Sequence, residues 1–133
     1  MNTLKIAIQK SGRLHDESIQ LLKDCGISVY NGNDQLKVTA SNFPLEVYYL
    51  RNSDIPQYLL DGVVDIAIVG DNLLVEKGQN IVVAERLGFS KCKVSVAVPK
   101  NFEYNSIQDL NGLRVATSYS KTVIDFFSFN GIS

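Results

Sequence analysis

"LKIAIQKSGRLHDESIQLLKDCG", residues 4–26, holds a strand, a corner and a helix in direct succession. "LKIAIQ" is apolar enough for a buried strand, and a polar corner, Lys10-Ser11-Gly12-Arg13, follows at once. From Leu14 the period changes. Ile19, Leu22 and Cys25 recur every three residues with Leu21 beside them, the stripe of an amphipathic helix. Asp16 and Glu17 lie in its first turn, where the helix dipole favours negative charge. Gly26 is placed to end it.

The same alternation continues downstream. Residues 27–30 read as a short strand and "NGND" (31–34) as a turn. Residues 35–41 and 45–50 read as strands broken at Pro44, and 52–62 as a short helix that Ser53 or Asp54 could cap. "VVDIAIVG" (63–70) is a nearly unbroken apolar strand, the pattern of a sheet covered on both faces. Residues 71–78 predict a short helix, 80–88 and 93–100 two strands, 106–112 a small helix, 113–118 a strand and 121–131 a helix. Strands alternating with helices predict an α/β fold with a largely parallel sheet.

Composition sets the bounds. Of 133 residues, 45% are apolar and 20% charged, the balance of a globular chain. A formal net charge of −1 argues against a general nucleic-acid binder but leaves room for a local basic pocket. Cys25 and Cys92 stand in no metal-ligand spacing and read as free thiols of a reducing compartment. "LKIAIQ" is too short for the core of a signal peptide, and no stretch is long enough to span a bilayer, so the expected location is cytoplasmic, away from membranes.

In parallel sheets ligands gather beyond the carboxyl ends of the strands, which directs attention to four corners. At residues 9–13, Gly12 lets a ligand approach the backbone, the helix start offers N–H groups, and Lys10 and Arg13 add charge. The corner suits a phosphate, although it is no Walker A loop and could be a solvated turn. Arg51 directly follows a strand and offers a planar fork to phosphate, or pairs with Asp54 on the surface. Asp71, after Gly70, could cap the next helix, contact a ribose hydroxyl or amine, or do both. The hydroxyl run Thr117-Ser118-Tyr119-Ser120 could bind an anion or simply start a helix. His15 has no triad partner and reads as a surface residue of the first helix turn. Phe126, Phe127 and Phe129 read as core.

At these corners the sequence resembles the ATP phosphoribosyltransferase family, which opens histidine biosynthesis. The stretches that carry the resemblance are "IAIQKSGRL" (6–14), "LRNSDIP" (50–56), "DGVVDIAIVGDNLL" (61–74) and "LRVATSY" (113–119), in the family's order and spacing. The resemblance implies two α/β lobes arranged as in periplasmic binding proteins, with residues 1–90 as the first catalytic lobe and 91–133 as the beginning of an incomplete second lobe. It implies condensation of ATP with phosphoribosyl diphosphate, and Mg²⁺ bound through the substrate diphosphate with no metal site on the protein. It also implies a homo-oligomer. The serine in "QKSGRL" is similar to the long form, whose full-length members are inhibited by histidine through a C-terminal domain. By resemblance Lys10 and Arg51 are the catalytic cations, and Gly12, Arg13, Asp71, Leu73, Thr117 and Tyr119 bind substrate. The family's glycine- and threonine-rich phosphate loop is expected beyond Ser133, so an N-terminal portion inactive by itself is expected. A solute-binding domain without catalysis is the competing reading.

Overall fold

The computed structural model describes residues 2–30, 36–78 and 80–133. The turn expected at 31–34 therefore lies outside the described residues. The chain divides into two compact units, Met1–Lys91 and Cys92–Ser133.

The first unit is built on a four-stranded sheet of order β2-β3-β1-β4. Strand β1 is Leu4–Gln9, β2 Lys37–Thr39, β3 Leu45–Leu50 and β4 Ile66–Ala67. β1 runs parallel to both β3 and β4, while β2 is antiparallel to β3 at the edge. Helix α1 is Arg13–Asp24, α2 Ile55–Leu60 and α3 Asp71–Lys77. The alternation of β1 divides the interior in two. Ile6 and Ile8 point to one face with Val47, Tyr49 and the α1 residues Ile19 and Leu22. Ala7 points to the other with Leu50, Ile55 and Val64. Both faces of the sheet are thus covered, as its apolar strands require.

Local chemistry sets the ends of α1. Gly12 precedes it at φ 92°, a left-handed conformation that a side chain would strain. At the far end Gly26, at φ 77°, donates its N–H to the Lys23 carbonyl while Ile27 bonds the Leu22 carbonyl, which closes the helix. Helix α2 needs no side-chain cap. Asp54 stands at the capping position without a cap bond, because a 3-10 turn over Asn52–Asp54 leads directly into the helix.

Several expected strands are absent among the described residues. Residues 27–30, 80–88, 93–100 and 113–118 form no ladder, and the strand expected at 63–70 is reduced to Ile66–Ala67. Apolar alternation qualifies a segment for a sheet, but a strand exists only where a neighbour supplies the backbone partners. Val82, Val94 and Val96 lie exposed for want of one. Residues 27–30 make isolated bonds instead, with Ser28 donating to Asn42 Oδ1 and accepting from the Ser41 N–H. His15 is also not a surface residue. It shares the inward face of α1 with Ser18, Ile19 and Leu22, and its ring centroid lies 5.7 Å from that of Tyr49.

The second unit contains a 3-10 turn over Ile107–Leu110 and helix α4, Ser120–Phe129. Ser106 and Asp109 form a reciprocal capping box at the turn. The chain end folds back, with Ile132 N–H on the Phe127 carbonyl and Gly112 N–H on the Ser133 carbonyl. Leu110 and Ile132 are its buried apolar residues among those described. The phenylalanines of α4 are therefore not core: Phe129 is 90% exposed and Phe126 48%, because the unit is too small to cover them. No described helix is long and apolar enough to cross a membrane.

Candidate functional site

Three corners of the first unit meet at one edge of the sheet, beyond the carboxyl ends of the parallel strands. The β1–β3 register pairs Gln9 with Leu50, so Lys10 and Arg51 are the next residues on neighbouring strands. The Lys10 N–H donates to the Leu50 carbonyl at 2.9 Å and ties the two corners together. β4 is bonded to the other side of β1, with Ile68 N–H on the Ala7 carbonyl, and leads into Gly70 and Asp71.

Charge is distributed unevenly over this edge. Lys10 and Arg51 are both exposed, and neither forms an ion pair among the described residues. Arg51 does not pair with Asp54; their link is the backbone bond from the Asp54 N–H to the Arg51 carbonyl. Two unpaired cations held on adjacent strands create a positive potential that an anion would relieve. Arg13 is committed elsewhere. Its Nη2 donates to the Lys91 carbonyl at 2.7 Å and its Nε lies 3.5 Å from Glu17. The corner thus offers an anion one free lysine, not two free cations.

Asp71 occupies the first turn of α3 but makes no cap bond. Both its carboxylate oxygens accept from Nη1 of Arg86, each at 2.9 Å. Leu73 is only 3% exposed, and its N–H is bonded to Asn72 Oδ1 and the Gly70 carbonyl. It anchors α3 from inside and offers no open apolar wall. Asn52, beside Arg51, keeps a buried Oδ1 with no hydrogen-bond partner among the described residues. In the second unit, Thr117 Oγ1 accepts from the Tyr119 N–H at 2.9 Å, closing a short turn ahead of α4. No three His, Cys, Asp or Glu side chains among the described residues gather as a metal site.

This edge thus sets two exposed cations near a carboxylate held by Arg86, an arrangement able to take an anion. A family profile described as HisG, ATP phosphoribosyltransferase, matches residues 51–133. The chain belongs to this family. An ATP phosphoribosyltransferase of Cytophaga hutchinsonii is 51% identical over 129 residues, covering 97% of this chain and 45% of that protein. One of Parabacteroides distasonis is 46% identical, over 97% of this chain and 46% of its own length. The chain thus spans a little under half the length of the curated relatives it matches. The solved ATP phosphoribosyl transferase (HisG:HisZ) complex from Thermotoga maritima matches 60% of this chain and 38% of its own, with 30% identity and a TM-score of 0.51. The expected α/β fold is that of the family.

The corners are legible in the sequence; Arg86 and Asn52 are not. Arg86 sits 15 residues from Asp71, and no spacing rule connects them. Asn52 reads as an ordinary helix-start residue, and only burial reveals its orphaned acceptor.

Proposed function

We propose that the protein containing this chain condenses ATP with phosphoribosyl diphosphate, giving phosphoribosyl-ATP and pyrophosphate, as the first step of histidine biosynthesis. The adenine N1 lone pair forms the new bond to the anomeric carbon. Pyrophosphate leaves with the electron pair of the broken C–O bond. No nucleophilic side chain is required, so the protein's contribution is positioning and stabilisation of developing charge.

The observation that supports this reading is the pair of unpaired cations, Lys10 and Arg51, on neighbouring strands joined by the Lys10 N–H to Leu50 carbonyl bond. Lys10 faces phosphate as a point charge, and Arg51 meets the departing pyrophosphate with its planar fork. Gly12, bearing no side chain, keeps the backbone at the start of α1 accessible to phosphate oxygens. Asp71 accepts from the ribose hydroxyls of the nucleotide, on a helix that Leu73 fixes from within. In the second unit, Thr117 and Tyr119 are the residues we assign to substrate binding, by the family resemblance. Arg13 braces the corner through Glu17 and Lys91. Mg²⁺ enters as part of the substrate, carried by diphosphate oxygens. In this reading the protein is cytoplasmic, forms homo-oligomers and responds to histidine as a feedback inhibitor at full length.

The test is steady-state kinetics in a full-length protein carrying these residues. Charge on pyrophosphate grows as the bond breaks, so Arg51→Ala should lower kcat by roughly ten- to a thousand-fold while KM changes little. Arg51→Lys should recover only part. An unchanged kcat in Arg51→Ala would remove Arg51 from the reaction.

A further inference from the structure

We propose that Arg86 is a positioning residue that sets the ribose preference of the nucleotide site by orienting Asp71. The inference rests on the nucleotide reading above and adds a residue and a specificity to it.

The contact engages the whole carboxylate. A single nitrogen, Nη1 of Arg86, lies 2.9 Å from both oxygens of Asp71. Contact to both oxygens restricts rotation of the carboxylate about its terminal torsion, which is otherwise broad and nearly two-fold. The two side chains are 69% and 72% exposed, so the pair adds little to stability. Asp71 is also released from the work usual at a helix start, since it makes no cap bond. An ionised carboxylate offers about four acceptor positions, and Arg86 takes two. The remaining two point away from Arg86, and each can accept from a ribose hydroxyl. A ribose presents such hydroxyls, and a 2′,3′-dideoxyribose does not.

Arg86 reaches Asp71 from a segment without regular structure, residues 80–91, while Asp71 sits on α3. Deleting the guanidinium leaves the carboxylate in place but lets it turn. The loss should therefore fall on ligands that use its orientation and spare those that do not. A merely structural role would weaken every nucleotide alike.

The experiment is titration calorimetry of a full-length protein carrying these residues, with ATP and with 2′,3′-dideoxy-ATP. The unmodified protein should prefer ATP. Arg86→Ala should weaken ATP binding about ten-fold, the usual loss for one charge-assisted hydrogen-bonding arrangement, and leave the dideoxy analogue unaffected. In an Asp71→Ala background, Arg86→Ala should have no further effect, and Arg86→Lys should restore part of the preference. Equal losses for both nucleotides, or full additivity with Asp71→Ala, would overturn the inference while leaving the nucleotide site standing. No ATP binding by the unmodified full-length protein would overturn the nucleotide reading and this inference together.

Discussion

Replacing Tyr49 by Phe should make the first unit more stable. Tyr49 lies in β3 at 6% exposure, within the cluster that packs α1 on the sheet. Its hydroxyl is buried and has no hydrogen-bond partner among the described residues. A buried hydroxyl left unsatisfied costs roughly 1–3 kcal/mol in protein mutational data. The substitution removes that oxygen alone, retains the ring beside His15 and opens a cavity too small to matter. The expected gain is about 1 kcal/mol, a rise of roughly 4–8 °C in Tm for a domain of this size. The pH dependence gives a second reading. Burial raises the phenol above its ordinary value of 10.0. A raised value means that the stability is fully present below about pH 10 and is lost as pH climbs through the folded-state value. Wild type should therefore lose stability in alkaline solution faster than the Phe variant. Thermal or urea melts of both proteins near neutrality and above pH 10 measure this. A lower neutral Tm for Tyr49→Phe would show that the hydroxyl is bonded after all, and a gap that stays constant with pH would refute the desolvation argument.

Gly12→Ala should cost about 1–2 kcal/mol, because φ 92° is strained for alanine even though its Cβ would sit an ordinary 3.6 Å from Gln9 Nε2; an unchanged urea midpoint would contradict this. Asp109 accepts the Asn105 and Ser106 N–H groups, which hold its carboxyl below the ordinary 3.8. Its contribution to the capping box is present above that value and fades as pH falls through the folded-state one, so an NMR titration should place the Asp109 midpoint below 3.8 and Asp109→Asn should flatten the acid response. Exposed Val94, Val96 and Phe129 should make the isolated chain associate, which sedimentation at several concentrations will show as a rising average mass; a monomer at every concentration would refute it.

What the sequence makes legible is punctuation. The corners after β1 and β3 were visible because an apolar run, a polar corner and a helical stripe follow one another within a few residues. Lys10 and Arg51 could be singled out for the same reason. Ladders are a different matter. Residues 93–100 alternate as a strand should, yet their strand identity depends on backbone partners that no local pattern encodes. His15 illustrates a further limit, since its place on the inner face follows from the phase of α1 against Tyr49 on another strand. Arg86 lies still further out of reach, because a loop carries it to Asp71 and loops have no period to read.

The bond from the Lys10 N–H to the Leu50 carbonyl has a consequence for how this protein can change over time. The backbones that carry the two cations are held at the spacing of paired strands, about 4.8 Å. Insertions and deletions should therefore divide sharply by position. Residues 41–43 join β2 to β3 and can shorten without moving Arg51. A one-residue deletion inside β3 would draw Arg51 back along the strand and turn it to the opposite face, separating it from Lys10 without altering a single functional side chain. The neighbourhood of Lys10 and Arg51 is thus tolerant of change in the β2–β3 connection and exposed to any slip in β3.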